Sequence, residues 1–329
     1  GGFNLVDTFA IDTTVGTGDA TVNFSGEIGN AGGVDDVTIE ITTDGNDAVA
    51  FVGTSLRGLD GTIQVNEASE VSFKGNGSAG NGGVSLVLRN GATANLESAV
   101  GPGTFNFNEL NDWVDPVDPL ITETGTVTQI GIEDATLAVQ GGTFSGVITD
   151  ELADLSLLVS TGEFNYSGDA DYGGSTTVTS GGTLNLTGSI DGTENLLLTN
   201  GTLEIGAGGS MVGSGDVAVS NGSAFNLVAG DVAGVDDASF VFIASNDETM
   251  SIDGIVSLSS TGEGVATLNY GSNAAVNGSL TASNNSTVDI AGDVTVGRQG
   301  SLVLEDTATA SVGGDLTLDG LLDLSGTSV

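Results

Sequence analysis

The stretch GGTLNLTGSIDGTENLLLTNGTLEI, Gly181–Ile205, contains one short phrase twice, as Gly-Gly-Thr-Leu-Asn-Leu from Gly181 and as Asn-Gly-Thr-Leu-Glu-Ile from Asn200. A third version, NGSAFNL, begins at Asn221, and AGDVTV at Ala291 is followed by GGDLTL at Gly313. Inside each phrase apolar residues alternate with Thr, Asn or an acid, the period of a half-buried strand. Similar alternation runs through VTIEI at Val37, LVL at Leu302 and LTL at Leu316, and no stretch sustains helical periodicity. The chain is therefore expected to be all-β. Recurrence at a fixed period separates a solenoid from an antiparallel sandwich, and the step between these phrases, roughly 20 residues, is one turn of a parallel β-helix (a β-solenoid) built from three short strands and their bends. At that period, 329 residues give on the order of 15 coils. Asn-Gly at Asn76, Asn81, Asn90, Asn200, Asn221 and Asn277, and Asp-Gly at Asp44, Asp60, Asp191, Asp253 and Asp319, punctuate the strands and supply the positive φ angles of tight turns.

The segment YGGSTTVTSGGTLNL, Tyr172–Leu186, resembles the passenger-associated repeat of bacterial autotransporters. Tyr172, Gly174, Thr176, Val178, Gly181, Leu184 and Leu186 fill that pattern, and Phe164–Gly168 is similar to its preceding arm. One extra residue stands between Gly181 and Leu184, and the Lys and second Gly usual before the arm are replaced in STGEF. The clear match covers about 30 residues, with weaker echoes toward the C-terminus. The resemblance implies a right-handed parallel β-helix secreted to a bacterial cell surface. The family's membrane barrel is not expected here, because nothing after Gly297 gives its series of amphipathic strands of roughly ten residues.

The repeat signal fades before residue 120. We expect residues 121–329 to form a parallel β-helix with repeats of roughly 20 residues, and residues 1–120 a less regular N-terminal β region, either irregular solenoid coils or a separate β domain. NDWVDPVDPL, Asn111–Leu120, holds the sole Trp and two of the three Pro. Proline cannot donate to a strand ladder, so this segment is expected to be a loop or boundary. It caps a coil, or it binds a partner through Trp113.

Composition restricts function. Forty-four Asp and Glu stand against 4 Lys and Arg, for a formal charge of −40. That field repels phosphate backbones and anionic bilayers, so nucleic acid is excluded as a partner. With 38% hydrophobic residues and acids scattered singly, the chain reads as folded rather than disordered. No apolar run reaches about 18 residues, so no membrane insertion is expected. The start, Gly1-Gly2-Phe3, lacks the basic residues of a signal peptide, and a processed terminus is expected.

The absence of Cys and His removes thiolate nucleophiles, the commonest general base and the usual zinc ligands. A Ser-Lys arrangement would have to use Lys74, which reads more simply as a strand end. The paired carboxylates of a glycosidase would have to come from Asp35-Asp36 or Asp236-Asp237, whose neighbours on a strand face opposite ways. No catalytic residue is assigned. Calcium takes six to eight oxygens from flexible loops. The candidate ligands are Asp44, Asn46 and Asp47, then Asp169 and Asp171, then Asp236 and Asp237. None completes a known loop motif, and solvated turns or adaptation to high salt explain the same residues.

These readings converge on a non-enzymatic structural protein of the bacterial exterior: an adhesive stalk, a fibre subunit or a surface-layer component. Solenoid ends carry unpaired strand edges. Phe3, Leu5, Phe9 and Ile11 at one end, and Leu321, Leu322 and Leu324 at the other, are the candidates for head-to-tail pairing with a second copy. The alternative is a monomeric adhesin that holds a glycan or host receptor by its loops. A polysaccharide-active enzyme is the third reading.

Overall fold

The computed structural model describes the chain except residues 1–2, 6–7, 14–20, 26–27, 31–36, 44–46, 54–55, 57–58, 76–82, 100, 119–121, 246 and 327–329. The described residues form strands and turns without a helix, in parallel sheets stacked as a β-solenoid of about 12 turns. The expected number of coils was larger because insertions at the corners lengthen several of them. The coil that pairs Ala224 with Ile255 is more than half as long again as the one that pairs Thr183 with Thr202. The chain divides into two compact units, Gly1–Leu158 with Gly168–Gly173, and Val159–Ser167 with Gly174–Val329.

In the first unit, one sheet stacks Thr8–Asp12, Val37–Thr42, Gly61–Val65, Val84–Leu88 and the Leu110–Asp112 part of the long strand Gly103–Val114. A second runs through Thr21–Phe24, Ala48–Val52, Glu70–Lys74, Thr93–Glu97, Thr126–Gln129, Val147–Asp150 and Asp169–Asp171. The beginning of Gly103–Val114 pairs with Ala135–Phe144 in a third. Alternation decides what faces inward. Ile39, Ile63, Leu86 and Leu110 share one register column and are all buried. In the second sheet Phe24, Phe51 and Phe73 stack at centroid separations of 5.2 and 5.7 Å. Such ladders hold coils together because each apolar side chain buried is worth about 1.5–3 kcal/mol and touches its counterparts above and below.

Each coil of the second unit passes through three sheets. The first contains Thr183–Leu186, Thr202–Ile205, Ala224–Ala229, Ile255–Ser260, Ser279–Ala282, Ser301–Asp306 and Leu321–Gly326 in parallel register. The second runs from Ser189–Thr193 to Thr309–Val312, and the third from Thr176–Thr179 to Leu316–Leu318. Leu184, Leu203, Phe225, Val256, Leu280 and Leu302 make one buried column.

The corners bear out the reading of the glycines in part: Gly91, Gly192 and Gly222, of the Asn-Gly and Asp-Gly pairs, take the expected positive φ. Gly254, Gly278 and Gly320, of the Asp-Gly and Asn-Gly pairs, do not take positive φ. They are glycines because a Cβ there would lie 2.0–2.5 Å from a carbonyl oxygen of the coil below. At Asn200-Gly201 the Asn itself takes the positive φ, of 54°. Four of the corners that lead into strands of the third sheet share a device. Asn195 Oδ1 accepts the Asp216 N–H at 2.9 Å, Asp216 Oδ1 that of Thr249 at 2.7 Å, Asn273 Oδ1 that of Asp293 at 2.8 Å, and Asp293 Oδ1 that of Asp315 at 2.8 Å. A column of Asn and Asp thus supplies acceptors where the backbone ladder has turned away.

Candidate functional site

The acidic candidates fall into different surroundings. Asp44 and Asn46 lie outside the described residues, and Asp47 beside them is buried. Asp169 and Asp171 flank buried Ala170 on one strand, so both side chains stand on the same exposed face. Asp236 and Asp237 sit in a turn, not on a strand. The Asp236 carboxylate accepts the Val232 N–H at 3.1 Å, and that of Asp237 accepts Gly234 and Val265 N–H groups at 3.1 and 2.9 Å. Their oxygens are thus engaged in closing the loop between two strands. Among the described residues no three acidic side chains converge as metal ligands would.

The terminal candidates also separate. The Phe3–Leu5 backbone pairs in parallel with Ile28–Asn30, while the Phe3 and Leu5 side chains lie outside the described part. Phe9 is 37% exposed and Ile11 is buried. At the other end Leu316 and Leu318 continue columns whose previous members, Val294 and Val296, are buried. Both are exposed, as are Leu321 and Leu324, whereas Leu322 is half-buried over Leu302.

Trp113 lies among several polar and charged side chains of the first unit. The expectation of a loop at Asn111–Leu120 is corrected for its first half: Asn111–Val114 ends the strand Gly103–Val114, and Trp113 and Val114 pair antiparallel with Glu123 and Thr122. Alternation keeps this stretch extended, and the prolines fall beyond it. At the turn, Asp115 Oδ1 accepts the N–H groups of Val117 and Asp118 at 2.7 and 3.1 Å. Those two bonds, Val117's first, hold the half-buried Asp115 carboxyl below its ordinary pKa.

Arg89 follows the strand directly below and lies over the Trp113 ring, its Cζ 4.0 Å from the centroid. Its Nε donates to Glu123 Oε2 at 2.7 Å and its Nη2 to Glu67 Oε1 at 3.0 Å. The hydrogen bond to Glu123 raises the Arg89 pKa, against the opposing effect of burial. Beside this clasp lies an open cavity of about 520 Å³ lined by Gln64, Val87, Asn111, Asp112, Trp113, Val114, Thr122 and Thr143. Gln64, Val87 and Asn111 occupy one outward register column on three successive coils. Asn111 is fixed at both ends, its Oδ1 accepting the Thr143 N–H at 2.8 Å and its Nδ2 donating to Glu109 at 2.9 Å. Asp112 points inward, above Leu88. Its Oδ2 accepts both the N–H and the hydroxyl of Ser145, at 2.9 and 2.6 Å, while Oδ1 is buried without a partner.

Of these residues the sequence pointed only to Trp113. Arg89 was findable, because it is one of four basic residues and precedes Trp113 by one coil length in this part of the chain. No helix among the described residues is long and apolar enough to cross a membrane. Comparison with known proteins gives no match, whether to a family model, a curated protein or a solved structure.

Proposed function

We propose that this chain is a non-enzymatic structural protein of a bacterial exterior, a solenoid passenger or stalk of the autotransporter kind. The observation that carries this reading is the continuity of the inward columns, which commit the interior of the described coils to cohesion and leave the outer faces mostly to Thr, Ser, Asn and acids, with single apolar residues such as Leu197 and Ile255 among them. Such a chain works by spacing and display, not by turnover. The Tyr172–Leu186 resemblance supports secretion, and the charge of −40 supports an exposed, hydrated surface. Assembly belongs to the proposal: the open columns at Leu316, Leu318 and Leu324 receive the first strands of a second copy, and calcium bridges acidic outer faces such as that of Asp169 and Asp171.

The test is antibody labelling of intact producing cells, together with electron microscopy of the purified protein in calcium and then in excess chelator. Labelling of intact cells is expected, with filaments that shorten on chelation. Label that appears only after permeabilisation overturns the surface assignment. Filaments that survive Leu318→Lys with Leu324→Lys remove the terminal columns from the assembly.

A further inference from the structure

We propose that the cavity beside Trp113 binds a short stretch of a neutral oligosaccharide. This goes beyond a structural role and rests on the geometry of the first unit alone. A sugar ring presents an apolar face of C–H groups and a rim of hydroxyls, each both donor and acceptor. A site for it combines a flat apolar or aromatic wall, planar amides or carboxylates in fixed orientations, and a volume of about 300–1,000 Å³. The cavity of about 520 Å³ supplies each part.

Its wall is Trp113 and Val114, its floor Gln64, Val87 and Asn111, and hydroxyls come from Thr122 and Thr143. The wall is preorganised, because Arg89 packs on the Trp113 ring and is itself held by Glu67 and Glu123. The Asn111 amide is oriented by Thr143 and Glu109 before any ligand arrives. Asp112 also lines the cavity, but its carboxylate turns inward above Leu88 and accepts the Ser145 N–H and hydroxyl, so it fixes this end of the strand and is not a ligand contact.

Charge selects among saccharides. The guanidinium of Arg89 already faces two carboxylates, and Glu109 and Asp115 add to the negative surroundings. A uronic-acid or sulfated polymer meets repulsion here, whereas a neutral one does not.

Trp113 is the sole tryptophan, so intrinsic fluorescence reports this site without a label. The probes are maltotetraose, cellotetraose, mannotetraose and xylotetraose, with tetragalacturonate as the acidic control. At least one neutral probe is expected to change the emission saturably, and the acidic one is not. Val87→Arg, which places a long side chain in the groove, is expected to weaken binding at least tenfold with an unchanged unfolding midpoint. Thr62→Arg, on the same outward face but outside the cavity, is expected to leave binding intact. No response to any neutral probe up to about 10 mM overturns the proposal. Equal binding by tetragalacturonate, or undiminished binding in Val87→Arg, overturns it too.

Discussion

Gly314 and Asp293 show how closely a residue's identity here depends on the coil below it. A Cβ at Gly314 would lie 2.1 Å from Asp293 Oδ1, the atom that accepts the Asp315 N–H, and Gly292 stands in the same relation to Asn273 Oδ1 at 2.4 Å. In the Gly-Asp pair, glycine therefore makes room for the acceptor of one coil and aspartate provides the acceptor for the next. Asp293→Ala removes that acceptor and is expected to cost about 1 kcal/mol in urea unfolding. Asp293→Asn keeps the acceptor, relieves repulsion toward Asp315, and is expected to be at least as stable as the wild type. Gly314→Ala is expected to cost about 1–3 kcal/mol by overpacking. Combined with Asp293→Ala it should cost less than the sum by at least about 0.5 kcal/mol, because the two changes disturb one contact; strict additivity would refute the shared role. Tyr270 gives a pH-dependent case. Its hydroxyl donates to Gly215 O at 3.1 Å, and burial, then the charges of Asp216 and Glu248, push the phenol well above its ordinary value of 10.0. The unfolded chain releases this proton first, so the associated stability is intact below pH 10 and falls as the pH rises from there toward the folded pKa. The wild type is expected to lose more stability than Tyr270→Phe between about pH 9.5 and about pH 11.5, measured by denaturant titration at each pH.

At the scale of strands and coils, aromatic columns lock the register. Phe51 lies between Phe24 and Phe73 and is fully buried, so Phe51→Ala opens a cavity between two coils and is expected to cost about 3–5 kcal/mol. Phe51→Leu is expected to cost less than half as much, by urea unfolding; equal losses would mean that stacking, not volume, holds this column. Alternation and the period of GGTLNL and NGTLEI made the second unit readable, since Leu184 pairs with Leu203 at the spacing of the two phrases. The AGDVTV and GGDLTL phrases likewise align Val294 with Leu316. NGSAFNL was displaced by one position: Phe225, not Ala224, pairs with Leu203, because buried Ser223 adds a residue at the corner. Corners admit such insertions without changing which side chains face inward, and for that reason period reads less clearly than alternation. The first unit was harder to read because consecutive coils there differ more in length. The coil that pairs Thr93 with Thr126 is more than half as long again as the next, which pairs Thr126 with Val147. The cavity beside Trp113 escaped notice for the same reason. Its floor is one residue from each of three coils, and such residues become neighbours only when the register is known.

For the whole molecule, charge is the property that stacking makes most costly. A parallel solenoid places equivalent residues about 4.8 Å apart on successive coils, so an acid recurring at one corner faces its own counterpart, as Asp293 does Asp315. The described basic residues relieve little of this. Lys74 pairs with Glu97, Arg89 with Glu67 and Glu123, and Arg298 with Asp319, against a net charge of −40. The folded chain therefore holds its charges closer together than the unfolded chain does, and screening should favour folding. Between about 0.01 M and about 0.15 M salt the Debye length falls from about 30 Å to about 8 Å, which removes repulsion between coils several turns apart while leaving that between neighbours. Tm is accordingly expected to rise steeply with NaCl over this interval and more slowly up to about 1 M, where the Debye length of about 3 Å falls below the coil spacing. Calcium chloride at matched ionic strength separates screening from binding. A Tm equal to that in NaCl assigns the effect to the ionic atmosphere. A further rise, reversed by chelator and reduced in an Asp169→Asn, Asp171→Asn variant, assigns part of it to calcium held on that exposed face. A Tm independent of NaCl would mean that the unfolded chain is as compact in its charges as the solenoid, and would remove self-repulsion as the constraint on this sequence.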